Sequence, residues 1–367
     1  KVDDGDITYN IVTSNSNSTD AAYNDLNVSD VDVVNSDDDS TGFSLSTVSG
    51  LTTSEAGGSS TFTVALLSEP TAGVTVYLRS SDYTEGSASP GSIVFTDNNW
   101  STAQTVTVTG VNDDVDDDDS IYSINVSSSS NDPTYSVLSN ATVSVTNSDD
   151  DVAGLTVSGN SGLVTTEAGG DTAVTIVLHS EPTADVFIIL TSADATEGLP
   201  YADSLRFTAG TWDTPQDIRL IGQNDYVDEG DIAYTVAGVP RSNDSKYNDL
   251  SLFNLSATNT DDDSAAVNVK NLTPLMTSEG GFKALFTIGL NSEPTADVKI
   301  AVVSSDDTEG KVSPSLLTFT SSDWAADTIT VTGQNDEIDD GDIEYDIVTW
   351  ASVSEDANID SQYSVSG

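Results

Sequence analysis

Six of the ten residues from Val111 to Ser120, "VNDDVDDDDS", are aspartate. Carboxylates can do two kinds of chemistry at such density. A pair can act as acid and base, as in glycoside hydrolysis. A larger cluster can ligate a hard cation, and calcium takes roughly 6–8 oxygens at about 2.3–2.6 Å, while magnesium keeps more of its water. Side chains cannot neutralise the loop. The 367 residues carry 10 Lys and Arg against 61 Asp and Glu, a net charge of −51. A bare loop of this kind must either splay in water or take up a cation.

Copies of the loop decide between those outcomes. It returns as "QNDYVDEGDIAY" and "QNDEIDDGDIEY", and the chain opens on a fourth version, "VDDGDITY". Asp119, Asp231 and Asp342 hold their place, as do Asp116, Asp228 and Asp339, while polar neighbours vary. Glu229 in place of Asp117 keeps the carboxylate. Tyr226 in place of Asp114 does not, so that position reads as peripheral. Fixed carboxylates among changing neighbours favour ligation over a merely solvated acidic face. Clusters of three to six, present in every copy, also fit ligation better than an acid–base pair. Calcium is the expected cofactor.

Strands must carry these loops. "TVTVTG" precedes the first acidic loop and "IYSINV" follows it. Phe62, Val64 and Leu66 alternate with Thr61, Thr63 and Ala65, and Val106 and Val108 alternate with threonines. That period of two belongs to strands with one buried and one wet face. Seven such segments follow one another: "FSLSTV", "STFTVAL", "VTVYLRS", "SIVF", "TVTVTG", "IYSINV" and "ATVSVTN". No useful helical periodicity appears.

The whole pattern repeats every 112 residues. Glu55, Glu167 and Glu279 keep that interval, as do Pro70, Pro182 and Pro294, Glu85, Glu197 and Glu309, and Trp100, Trp212 and Trp324. Runs of "NSDDD" or "NTDDD" begin at Asn35, Asn147 and Asn259. The period exceeds that of a solenoid and suits a sandwich of about 100 residues. Residues 1–41 read as the end of one repeat, 42–152 and 153–264 as whole repeats, and 265–367 as a repeat without its last strand and exit run. The chain reads as part of a longer array. The repeated tryptophan is expected to pack at a sandwich edge or core. Tyr23, Tyr135, Tyr247 and Tyr363, each three residues after an aspartate, suggest a corner hydrogen bond.

Composition excludes other functions. So acidic a chain cannot grip phosphates or dock on anionic lipid. It has no cysteine, hence no disulfide or thiolate site, and no apolar run of about 20 residues for membrane insertion. His179 is its one histidine, at a position where the other copies have leucine, and no nucleophile arrangement or phosphate-cradling glycine motif accompanies it. An enzyme is not expected. The acidic loops lack the EF-hand glycine and terminal glutamate, the "GGxGxD" nonapeptide and the cadherin "DxNDN".

The order of a glutamate before the second strand, "SxD" after the third, an acidic loop after "TVTVTG" and a terminal "DDD" resembles the Calx-β family, repeat by repeat along the chain. The resemblance implies all-β, seven-stranded immunoglobulin-like sandwiches in tandem, arranged as an extended rod, with calcium at one pole of each. It implies as ligands Glu55, Asp82, Asp113, Asp116, Asp117, Asp118, Asp119, Asp149, Asp150 and Asp151 in the first whole repeat. In the second they are Glu167, Asp194, Asp225, Asp228, Glu229, Asp231, Asp261, Asp262 and Asp263. In the third they are Glu279, Asp306, Asp336, Asp339, Asp340 and Asp342. The opening part keeps Asp3, Asp4, Asp6, Asp37, Asp38 and Asp39. "SDYTEG" departs from the Asp-Gly-Thr usual in the family, and the loop has aspartates where the family has glutamates. A secreted or cell-surface microbial stalk or filament is the expected role, with neighbouring repeats and other copies as partners. The alternative is an adhesin module that binds a glycan or protein.

Overall fold

The computed structural model describes residues 1–335, 338, 341–350 and 353–354. Their Val, Ile, Phe and Thr content and period-two alternation produce sheets almost throughout. Two compact units result, Lys1–Ala153 with His179–Thr183, and Gly154–Leu178 with Ala184–Gly367. No described helix is long and apolar enough to cross a membrane.

The first unit opens with an antiparallel hairpin of β1 (Ile7–Ile11) and β2 (Val31–Asn35). A sandwich follows. It contains β3 (Phe43–Leu45), β4 (Leu51–Ser54), β5 (Ser59–Leu66), β6 (Val74–Ser80), β7 (Gly86–Ser89), β8 (Ser92–Phe95), β9 (Gln104–Gly110), β10 (Ser120–Ser130) and β11 (Ala141–Ser148). One sheet runs β4-β11-β10-β6-β8 and the other β3-β5-β9-β7. The inward residues of both sheets form the core, among them Phe62, Val64, Val76, Phe95, Val106, Ile124 and Val143. These are immunoglobulin-like sandwiches in tandem. The seven expected strands are present, but the first is shortened to β3 and followed by an additional strand, β4, and the fourth is preceded by another, β7. Gly50, at φ +79°, turns the chain between β3 and β4. Pro90 separates β7, which pairs with β9, from β8, which pairs with β6. Each separation lets one edge serve both sheets.

The second unit repeats the design. β12 (Leu155–Ser158), β14 (Asp171–Leu178), β18 (Gln216–Gly222) and β16 (Gly198–Pro200) make one sheet. The other runs β13 (Leu163–Thr166), β20 (Phe253–Thr260), β19 (Ile232–Ser242), β15 (Val186–Ser192) and β17 (Ser204–Phe207). A further sandwich has a sheet of β21 (Val267–Asn271), β22 (Lys283–Leu290), β26 (Asp327–Gly333) and β24 (Gly310–Ser313). It faces a sheet of β25 (Leu316–Phe319), β23 (Val298–Ser304) and β27 (Ile347–Thr349).

The expected packing and corner contacts can be placed. Trp100 and Trp324 are half-buried against the edges of their cores. Tyr135 is fully buried; its O–H donates to the Ser68 carbonyl at 2.7 Å and its N–H to Asp132 Oδ1 at 3.3 Å. Burial opposes ionisation of Asp132, but hydrogen bonds from Thr134, Thr71 and Tyr135 hold its carboxyl well below the usual range. Tyr247 is buried likewise, whereas Tyr23 is exposed and Tyr363 lies outside the described residues.

Candidate metal centre

One parallel pairing creates the pole where the carboxylates meet. β4 runs parallel to β11 with Ser54 opposite Ser148, so Glu55 and Asp149 leave their strands side by side. β13 and β20 do the same for Glu167 and Asp261, with Thr166 opposite Thr260. β9 ends beside them at Gly110, where the acidic loop starts. A Cβ there would lie 2.3 Å from the Ser54 carbonyl oxygen and 2.4 Å from Asn147 Oδ1, so only glycine lets the loop begin this close. Gly222 sits identically between Thr166 and Asn259.

The loop is tied to the exit run by its own carboxylates. Asp149 Oδ2 accepts from the Asp118 N–H at 2.9 Å, Asp119 Oδ1 from the Asp149 N–H at 3.2 Å, and Asp116 Oδ2 from the Ala153 N–H at 2.7 Å. In the second unit Asp261, Asp231 and Asp228 accept from Gly230, Asp261 and Ala265 at 2.7, 3.2 and 2.7 Å. Asp113 and Asp225 each cap the turn at their own loop's start. The opening hairpin shows the same bonds: Asp37, Asp6 and Asp3 accept from Gly5, Asp37 and Thr41. These links converge the backbone and leave other carboxylate oxygens facing one another.

Glu55 is 3% exposed, and its Oε2 is buried without a hydrogen-bond partner. Ligand atoms of Glu55, Asp150 and Asp151 lie within 4.8 Å of one another. So do those of Glu167, Asp261 and Asp263, those of Glu167, Glu197 and Glu229, and those of Asp37, Asp38 and Asp39. Asp116, Asp118, Asp119, Asp149 and Asp151 also line a cleft open to solvent. Burial, then the charges of Asp113, Asp149 and Asp117, push the Glu55 carboxyl up to about 7. Burial raises Glu167 to about 7 against the pull of the Asp262 N–H, with Asp261, Asp225 and Asp263 adding to the rise. Glu229, although exposed, is raised to about 7 by partial desolvation beside its neighbours and by the charges of Asp225 and Glu197. Asp117, Asp151 and Asp263 are raised as well, partial desolvation first and neighbouring carboxylates second. Such a set is under-compensated, and it could hold a divalent cation, which would supply charge and ligand bonds together.

Other residues of the sequence reading sit elsewhere. Asp82, Asp194 and Asp306 use Oδ1 to accept from the N–H and hydroxyl of Thr84, Thr196 and Thr308 within their own turns. Those bonds, the hydroxyl first, hold the three carboxyls below the usual range. The carboxylate that this turn sends to the pole is instead the buried Glu85 or Glu197. Asn147, 1% exposed, donates to Glu85 Oε2 at 3.3 Å and to the Val111 carbonyl at 3.2 Å, flooring the site. Asn259 does the same with Glu197 and Gln223. In the third sandwich Glu279 and Asp342 are exposed, Asp336, Asp339 and Asp340 lie outside the described residues, and no carboxylate trio forms among those described. Asp4 and Asp38 are exposed in the opening hairpin.

No family model and no curated protein matches the chain. Among solved structures, CBD12 from CALX1.2 is similar over 56% of this chain and 82% of its own, at 17% identity and a TM-score of 0.26. The calcium binding domain CBD12 of CALX1.1 is similar over 54% and 74%, at 13% and 0.25. The I-band fragment I67–I69 from titin is similar over 83% and 91%, at 12% and 0.22. These likenesses are too weak to carry an argument, and the sandwich architecture rests on the strand pairing itself.

Proposed function

We propose that the chain is a non-enzymatic array of calcium-binding sandwiches, a stalk or filament segment of a secreted or cell-surface protein. One observation supports it most: a buried glutamate oxygen, Glu55 Oε2, lacks any hydrogen-bond partner and stands among converging carboxylates. Buried polar groups are almost always paired. Glu55, Asp150 and Asp151 would hold a cation in the first whole sandwich, and Glu167, Asp261, Asp263, Glu197 and Glu229 in the second. The donors are all hard oxygens, which fits calcium. Because Asp116 and Asp228 also grip the first residues beyond each exit run, a bound cation would stiffen the chain where it leaves the sandwich. Calorimetric titration of the full chain with calcium tests the reading. Heat of binding in the wild type that Glu55→Gln and Glu167→Gln each diminish supports it; no binding at millimolar calcium refutes it.

An adhesive role has one observation in its favour. On the outer sheet face of the second sandwich Phe187 lies between Arg206 and Arg241, beside Ile189. The first sandwich has Thr75 between Val94 and Ser129 there. A face particular to one copy is what recognition of a partner requires. Loss of surface attachment on Arg241→Glu, with calcium binding intact, would favour that role.

A further inference from the structure

We propose that the third sandwich preorganises the cation site of the second, through a latch between Tyr226 and Trp324; the inference rests on the calcium reading above. Tyr226 heads the acidic loop, between Asp225 and Asp228. Its carbonyl accepts a hydrogen bond from the Glu293 N–H of the following sandwich at 2.6 Å. Its ring lies 6.0 Å from that of Trp324, tilted by 44°. Trp324 is itself anchored, packed on the edge of the third core with its carbonyl accepting from Leu290 at 3.2 Å. All of these residues belong to the second compact unit.

The position is built for this in more than one copy. Lys1, Asp114 and Tyr226 each stand two residues before the aspartate that grips the outgoing chain. Within the first unit the Lys1 carbonyl accepts from Glu69 at 2.6 Å, and its ammonium lies 5.9 Å from the Trp100 ring. There too, the Asp114 carbonyl accepts from Glu181 at 2.5 Å. The glutamate of each "SEPTA" segment thus donates its N–H to the head of an acidic loop, and a tryptophan from the same sandwich can cover that residue's side chain. The position that the sequence marks as peripheral supplies no atom to the carboxylate trios but makes this contact.

The latch acts by preorganisation. The loop repels itself when empty, and each carboxylate must be held in place before a cation arrives. Fixing the peptide between Asp225 and Asp228 removes freedom that binding would otherwise have to remove. Tyr226 is therefore a positioning residue and not a ligand. Asp114 has no ring to offer, so the side-chain half of the latch is absent from its loop.

The test compares Tyr226→Ala and Tyr226→Phe in the full chain. Hydrogen exchange at the Glu293 amide is followed in chelator. Calcium titration is done in a Glu55→Gln background, which silences the first site. The expected result is faster exchange at Glu293 in Tyr226→Ala and a calcium affinity about two- to tenfold weaker, the range an aromatic pair supplies. Tyr226→Phe should restore both. Unchanged exchange in Tyr226→Ala overturns the latch. Faster exchange with unchanged affinity overturns its coupling to the cation. Absence of calcium binding in the wild type overturns the coupling together with the proposed function, while exchange in chelator still reads the latch alone.

Discussion

Replacing Glu55 by glutamine should change the sign of its effect with calcium. The Glu55 carboxyl stands at about 7 in the folded chain against an ordinary 4.5. Between those pH values the native state holds a proton that the unfolded chain has released. Stability contributed by that proton is complete below pH 4.5 and is lost as pH rises through 7. Over 2.5 units at about 1.4 kcal/mol per unit, the loss is roughly 3.5 kcal/mol as an upper limit. Glutamine has the same shape and no charge to desolvate. In chelator at pH 8, Glu55→Gln should therefore raise the melting transition of the first whole sandwich, by up to roughly 14 °C at the lower end of about 4–8 °C per kcal/mol for a domain of this size. At pH 5 the gain should shrink. In millimolar calcium the order should reverse, because a neutral amide replaces a ligating carboxylate. Calorimetric unfolding at both pH values, in chelator and in calcium, reads all four states. A lower transition for Glu55→Gln at pH 8 in chelator would refute the claim that Glu55 is an uncompensated charge.

Asp82 and Glu85 should separate turn from site. Asp82→Ala removes the hydrogen bonds to Thr84 and should cost about 1 kcal/mol of stability with calcium affinity unchanged, whereas Glu85→Gln should weaken calcium binding; equal titration curves for the two variants would contradict this division. Tyr135→Phe deletes a buried donor to the Ser68 carbonyl and should destabilise the first sandwich by about 1–3 kcal/mol, read by urea unfolding, with no effect on calcium affinity.

Much of this architecture is legible in the residues because period-two alternation and a 112-residue beat leave few alternatives. Phe62, Val64 and Leu66 read as inward residues and are buried. β4 and β7 are harder to see: "LTTS" and "GSAS" are short and polar, and their pairing depends on partners far along the chain. The parallel pairing of β4 with β11, which brings Glu55 to Asp149, leaves no local signal at all. Spacing marked Glu55 and the exit aspartates, and the structure gathers them. It also marked Asp82, but a carboxylate two residues before a threonine can satisfy itself locally, and Asp82 does so. The signal for Glu85 was its place on the 112-residue beat, and for Asn147 its fixed place before each aspartate run. Neither could be given a role before strand order showed which loops share a pole. Tyr226 was legible only as a departure, because its partner Trp324 lies 98 residues further on.

Thermal unfolding of the full chain in chelator and in millimolar calcium at pH 7 tests the central claim most directly. A cation bound only by the native state stabilises by about 2.7 kcal/mol per site at a hundredfold excess over its dissociation constant. The account predicts that the transitions of the two whole sandwiches rise by at least ten degrees or so at that scale, and that magnesium at the same concentration does much less. Superimposable melting curves in chelator and calcium would contradict it.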